Sequence, residues 1–291
     1  MIKWYRSEGR DLPWRHTRDP YAIFIAELML QQTQVNRVIP KWYSFLTLYP
    51  NWTSLAAAPS ADLIRQWVGL GYNKRIMRAR KAAQIVQDRH QGLLPSKPDL
   101  LEALPGIGKY TSSAIQCFAF NKSVPVVDVN VNRVLTRFYG IKTPQTAAYI
   151  RELANKALPK KNSYDWNQGL MDIGASICKA NTIHCAMCPL TKSCRTSSAG
   201  TTSIISESKV SQSKYLGSNR YYRGQILKFL KLRIHNDKLS LDQLSTALQQ
   251  TTQDNNMEQI KKALQGLHYD ELVDLHPNAK EPTHVSLPEP L

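Results

Sequence analysis

Apolar residues recur three and four positions apart through most of residues 1–200, with Pro and Gly marking the breaks. That period places one face of each segment in a core and predicts helices. Asp19 before Pro20 is a helix start, an N-cap followed by Pro at the first helical position, and the apolar pattern carries this helix to about residue 38. Further helices are predicted at 40–49, 60–68, 74–90, 110–120, 129–139, 146–157 and 167–178. No alternating series predicts a sheet here, so the fold class is all-α. The Ser/Thr/Gly-rich stretch around 198–218 lacks the period and reads as a linker. Beyond it, helices at 223–234, 240–251 and 257–267 and an extended segment at 271–275 predict a small winged-helix-like module over 219–277, then a tail, 278–291. No internal repeat is visible. The longest apolar runs, as in 21–30, reach about half of the ~20 residues that a membrane span needs.

Charge sharpens this division. The 291 residues carry 38 Lys+Arg against 22 Asp+Glu, a net charge of +16. Residues 1–200 hold 27 basic and 12 acidic side chains (+15), and the remainder 11 and 10 (+1). A chain with 42% hydrophobic residues can bury a core, so the charge is not that of a disordered tail. It marks an affinity for a polyanion centred on the first region. The N-terminus has neither a signal-peptide apolar core nor the acid-free character of a mitochondrial presequence, so the expected location is the cytoplasm, or the nucleus of a eukaryote. Four of the five cysteines crowd between Cys178 and Cys194, which suits a metal centre in a reducing compartment better than a disulfide framework.

Those four, Cys178, Cys185, Cys188 and Cys194, give C-x6-C-x2-C-x5-C. Thiolates ligate iron-sulfur clusters and structural zinc alike, but zinc sites pair two short knuckles and only Cys185/Cys188 form one, so the spacing favours a cubane cluster. Cys117 reads as a small buried hydrophobe and His184 as a bystander. Leu104-Pro-Gly-Ile-Gly-Lys-Tyr-Thr111 places two glycines in a tight turn, which either connects two helices or also turns backbone N–H groups toward a phosphate. The basic run Lys74, Arg75, Arg78, Arg80 and Lys81 is a solvated helix face or a track for phosphates. Glu27 stands in a run apolar enough to bury it. Burial disfavours its charged form and would make it a general acid near neutral pH, unless it is a structural carboxylate tied to an Arg. Asp128, where an extended entry becomes a helix, is an N-cap, and a carboxylate held ionised there would also suit a developing cation.

Taken in order, the hairpin 104–111, the Val-Asp-Val-Asn segment at 127–130 and the four-cysteine loop resemble the helix-hairpin-helix, Gly/Pro-Asp superfamily of DNA glycosylases. Leu12-Pro-Trp-Arg15, Glu27-Leu-Met-Leu-Gln-Gln-Thr-Gln-Val35, Gly69-Leu-Gly-Tyr72 and Met171-Asp-Ile-Gly-Ala-Ser-Ile-Cys178 resemble its MutY-type adenine glycosylases, over about residues 1–197. The resemblance implies two helical lobes, about 20–125 and 1–19 joined to 126–197, with DNA bound between them. It implies a base excision repair enzyme that flips out an adenine mispaired with 8-oxoguanine or guanine. Glu27 would protonate the purine and later activate water, and Asp128, assisted by Asn130, would stabilise the oxocarbenium-like sugar by charge or by covalent capture. Tyr110 stands where bifunctional relatives carry a lyase lysine, and Lys109, a rotation of about 100° away on a helix, should point elsewhere. A monofunctional hydrolase is therefore expected.

By the same resemblance Gln32 fills space at the mismatch and Tyr72 wedges beside the opposing base. Trp14 and Arg15 line or support the base pocket, Gly106 and Gly108 offer N–H groups to phosphate, and the cysteines hold a 4Fe-4S cluster whose loop presents Lys179, Lys192 and Arg195. The implied partner is double-stranded DNA containing a mismatched adenine, bound by a monomer away from any membrane. Trp14 and Tyr72 have a plain alternative as core aromatics, and Gln32 as a helix-surface amide. The chain departs from the family at Asn73, usually a second Tyr, at Val129, usually Gly, and in lacking a recognisable NUDIX-like C-terminal domain. Competing expectations are a thymine or uracil mismatch glycosylase and a non-catalytic DNA-binding module. Keeping both Glu27 and Asp128 counts against the second. Tyr110 counts against a lyase, and an iron-sulfur electron carrier would need neither the hairpin nor the charge.

Overall fold

A helix ends where its last carbonyls find other partners, and this decides the first break in the chain. In the computed structural model, which describes residues 1–199, 214–233, 238–252 and 257–288, α1 (Ile2–Glu8) and a 3-10 turn at Pro13–Arg15 precede α2 (Pro20–Leu30). Asp19 caps α2, accepting from the N–H groups of Tyr21 at 3.0 Å and Ala22 at 3.2 Å. The expected helix to residue 38 does not form. The carbonyls of Leu28, Met29 and Gln31 accept from the Arg75 guanidinium at 2.6, 3.1 and 2.7 Å, Gln32 turns left-handed (φ 54°), and α3 (Val35–Leu48) starts afresh with Pro40 inside it.

There follow α4 (Trp52–Ala57), α5 (Ser60–Trp67), α6 (Lys74–His90), α7 (Pro98–Glu102), α8 (Lys109–Phe118), α9 (Val129–Phe138), α10 (Ala147–Ala157) and α11 (Ser163–Asp172). The last runs into a π turn, Ile173–Ile177, before the cysteine loop and α12 (Arg195–Ser198). The final elements are α13 (Asn219–Lys231), β1 (Leu239–Ser240), α14 (Leu241–Thr252), α15 (Met257–Tyr269), β2 (Asp274–His276) and β3 (His284–Ser286). The strands form one antiparallel sheet in the order β1-β3-β2, with Leu239 and Leu275 both registered on Val285. Helix dominates among the described residues. The extended segment expected at 271–275 lies slightly later, at 274–276. The pattern passed over α1, α4, α7, β1 and β3, which are too short to repeat a period. Of the expected linker, residues 200–213 lie outside the described residues. Among the described residues, no helix is long and apolar enough to cross a membrane.

Contacts divide the chain into two units, Met1–Glu27 with Pro95–Ala103 and Ile107–Val210, and Leu28–Leu94 with Leu104–Gly106 and Ser211–Leu291. In the first, Val126, Val131, Val134, Leu135, Ile150 and Ile173 are buried together, and α1 packs on α11. Buried Asn167 fixes the extended entry to α9. Its Oδ1 accepts from the Val126 N–H at 2.8 Å, and its Nδ2 donates to the Val124 carbonyl at 2.9 Å. In the second, α4 packs on α6, α5 against both α6 and α13, and α13 on α15, and Phe45, Trp67 and Ile76 are among its fully buried side chains.

Candidate active site

Three expected side chains meet in the first unit. Glu27, near the end of α2, is only 5% exposed, and its Oε2 has no hydrogen-bond partner. Burial raises its pKa to about 7, against the lowering effect of a hydrogen bond with Tyr110. Asp128 adds to the rise, and Arg15 opposes it. Tyr110 is the second residue of α8. Burial raises its hydroxyl pKa well above the usual tyrosine range, and the charges of Glu27 and Asp128 push the same way. Lys109, one position earlier, is exposed.

Asp128 caps α9, its Oδ1 accepting from the Val131 N–H at 2.7 Å and its Oδ2 from the Asn130 amide at 2.8 Å. Capping and site geometry are therefore one arrangement rather than alternatives. The neighbouring Val129 side chain is 70% exposed, so its branch points outward and crowds nothing. A carboxyl that holds its proton near neutrality beside a second carboxylate fixed by donors is a pair with divided acid and anion roles.

The network continues beyond the residues that the sequence singled out. The Asn130 side-chain Oδ1 accepts from Arg133 at 2.8 Å, and Arg133 donates on to the backbone carbonyls of Gly174 at 2.7 Å and Cys178 at 2.9 Å. A Cβ at Gly174 would lie 2.7 Å from the Asn130 Cβ, so only glycine permits this approach. Buried Arg137 donates toward the Cys178 sulfur at 3.3 Å and to the Lys179 carbonyl at 2.7 Å. The signal for both arginines was their one-turn spacing after Asn130 and Arg133, visible only once the face of α9 is known.

Cys178, Cys185, Cys188 and Cys194 are all free thiols. Cys178 and Cys194 both meet Arg137, the Cys178 sulfur accepting from its guanidinium at 3.3 Å and the Cys194 thiol donating to its backbone carbonyl at 3.7 Å. Among the described residues no three His, Cys, Asp or Glu side chains converge as a single-ion site. Lys179, Lys192 and Arg195 are exposed on this loop.

Trp14 and Arg15 do not line an open surface. Trp14 is buried in the 3-10 turn. Arg15 grips Asp172 with two hydrogen bonds of 2.8 Å, and Arg10 adds a third at 2.7 Å. Burial alone would raise the Asp172 pKa, but the hydrogen bond and charge of Arg15, joined by Arg10, hold it below the usual carboxylate value. Asp172 lay unremarked inside the Met171–Cys178 motif.

In the second unit the Gly69–Tyr72 loop is left-handed at Gly69, Gly71 and Tyr72 (φ 101°, 75° and 47°), and the Tyr72 ring is 51% exposed. Gln32 is likewise left-handed and exposed. Arg75 holds both turns. Besides the α2 carbonyls it donates to Thr33 Oγ1 at 3.2 Å, to the carbonyls of Leu70 at 3.2 Å and Gly71 at 2.8 Å, and to that of Tyr72 at 3.3 Å. The basic helix is thus mostly a structural one. Arg75 is buried, Lys74 and Lys81 are ion-paired with Asp270 and Glu271, and Arg80 donates to Ser60. At the hairpin, Gly106 requires its glycine for φ 88°, whereas a Cβ at Gly108 would meet nothing within 4 Å.

A family model described as HhH-GPD superfamily base excision DNA repair protein matches residues 25–160. The chain is 36% identical over 234 residues to an adenine DNA glycosylase of Mycolicibacterium smegmatis, 79% of either protein. It is 38% identical to one of Buchnera aphidicola, across 67% of this chain and 57% of the relative. A human adenine DNA glycosylase is 35% identical across 67% of this chain and 38% of its own length. Among solved structures, a thermostable thymine-DNA glycosylase superposes with a TM-score of 0.65 at 31% identity, covering 68% of this chain and 93% of that one. An endonuclease III trapped on DNA, at 23% identity and a TM-score of 0.61, shares the fold.

Proposed function

The chain belongs to the HhH-GPD superfamily of base excision DNA repair proteins, and from this we propose that it hydrolyses the glycosidic bond of adenine mispaired with 8-oxoguanine or guanine in duplex DNA. The observation that carries this reading is the pairing of Glu27, with a pKa near 7, and Asp128, held by Val131 and Asn130. An adenine turned out of the stack meets a proton donor that is ready at neutral pH, and protonation makes the purine a better leaving group. The electron-poor sugar that remains is stabilised by the Asp128 carboxylate, through charge or a transient bond. Glu27, now ionised, takes the proton of the attacking water. Tyr110 offers no amine for a Schiff base and holds Glu27 by a hydrogen bond, so the enzyme is monofunctional.

Gln32 and Tyr72 act on the mismatch and the opposing base, and Gly106 and Gly108 on phosphate. Trp14 and Arg15 support the pocket from behind, Arg15 through Asp172. Cys178, Cys185, Cys188 and Cys194 hold a 4Fe-4S cluster. Four thiols on one loop, with Arg137 donating toward the Cys178 sulfur, are a donor set that fits a group taking one thiolate at each corner, and when bound it would supply a rigid frame for the loop. The catalytic domain spans 1–197 and the winged-helix-like module 219–277. The protein acts as a monomer in the cytoplasm or nucleus.

Single-turnover base release from duplexes bearing A:8-oxoG, A:G, A:C, T:G and U:G tests the proposal. We expect adenine release that Glu27→Gln reduces by at least about a hundredfold. Thymine or uracil release without adenine would overturn the substrate, and strong borohydride trapping of the unmodified protein would overturn the hydrolytic mechanism.

A further inference from the structure

Tyr269, the last residue of α15, is 82% exposed, the highest value for a large hydrophobic side chain among the described residues. Its surroundings hold it firmly all the same. The Lys74 ammonium lies 5.1 Å from the centre of its ring and 2.8 Å from Asp270 Oδ1, while Arg223 holds the other Asp270 oxygen at 2.5 Å. Glu271 turns the chain away in a left-handed conformation (φ 61°) and pairs with Lys81 at 2.7 Å, two turns along α6. Lys74 is also only two residues beyond Tyr72, whose half-exposed ring tops the loop fixed by Arg75. The second unit therefore carries two exposed tyrosines, Tyr269 in contact with Lys74 and Tyr72 two residues before that lysine in the chain, each on a clamped backbone.

The chemistry of this patch selects its occupant. Lys74 and Arg223 share the Asp270 carboxylate and Lys81 pairs with Glu271, so three cations face two carboxylates and the surface around Tyr269 is an exposed ring beside a largely paired, weakly positive cluster. A planar partner fits an exposed ring of this kind, and a nucleobase is the planar group that the proposed role of Tyr72 would bring to this unit. We propose that Tyr269 is a second base-stacking residue, contacting the strand that Tyr72 wedges, so that the nearly neutral C-terminal module binds DNA by stacking and not by charge. This rests on the reading of Tyr72 given above.

The test uses the full chain and a duplex whose mispaired adenosine carries a 2′-fluorine, so that binding is measured without base release. Tyr269→Ala should bind about tenfold more weakly than the parent, and Tyr269→Phe within about twofold of it, since the ring and not the hydroxyl does the stacking. In the unmodified protein, a strand substituted with 5-iodouracil opposite the mispair should crosslink to Tyr269 on irradiation, as read by mass spectrometry. Parent-like binding by Tyr269→Ala, a loss in Tyr269→Phe as large as in Tyr269→Ala, or crosslinking confined to other residues would each overturn the proposal. If the parent binds the duplex but releases thymine or uracil instead of adenine, the assigned substrate fails while the Ala and Phe contrast still decides the role of Tyr269.

Discussion

Glu27 keeps its proton near neutrality because the apolar run that makes α2 also strips water from the carboxyl. The sign of the consequence follows. A carboxyl whose pKa rises from 4.5 unfolded to about 7 folded binds its proton more tightly in the native state. That advantage is complete below pH 4.5 and is lost as the pH climbs through 7. Glu27→Gln should therefore melt like the parent at pH 4 and be more stable by about 2–3 kcal/mol at pH 8, measured by denaturant titration at both pH values. Adenine release by the parent should decline above pH 7 as the donor ionises. Gly174 shows a different constraint. Gly174→Ala would set a methyl against the Cβ and backbone of Asn130, at 2.7 to 3.1 Å, and so tilt the amide that holds Asp128. Base release should slow by about ten- to a hundredfold in single-turnover assays, with duplex affinity nearly unchanged.

At the scale of elements, Arg75 is the joint between the end of α2, the start of α3 and the Tyr72 loop. Six carbonyls and one hydroxyl accept from it, and burial lowers its pKa to about 10, still charged at neutral pH. Lysine cannot span two turns with a single ammonium. Arg75→Lys should cost about 2–4 kcal/mol of stability by leaving buried carbonyls unpaired, visible as a lowered melting temperature and faster proteolysis near residues 31–34 and 69–72. Helix positions were readable from periodicity because each long helix buries one face. The break at 31–34 was not, because the apolar run continues across it and the interruption is imposed by an arginine some forty residues away.

For the molecule as a whole, +15 of the +16 charge belongs to residues 1–200. Affinity for duplex DNA should fall by at least about a hundredfold between roughly 50 and 200 mM salt, as measured by fluorescence anisotropy. Lys74 and Lys81 contribute less to that slope than their number implies, since both are already paired, Lys81 with Glu271 and Lys74 with the Asp270 carboxylate that it shares with Arg223. Lys74→Ala should leave the slope nearly unchanged, whereas Lys179→Ala, an exposed change on the cysteine loop, should flatten it.

Several features were settled by the sequence itself: the helical class, the turn between α7 and α8, the cap at Asp128, the crowded cysteines and the burial of Glu27. Each depends on residues close together in the chain, where period, capping chemistry and spacing act directly. Tertiary structure decided the rest. It gave Arg15 a partner in Asp172, and it made Arg75, read from sequence as part of a solvated face or a phosphate track, a buried joint. It linked Asn130 through Arg133 to Cys178, and it set Tyr269 beside Lys74, nearly two hundred residues apart. These assignments depend on which charged groups meet after folding. Local sequence cannot fix that, because an arginine on a helix face looks the same whether its partner is a phosphate, a carboxylate or a row of carbonyls.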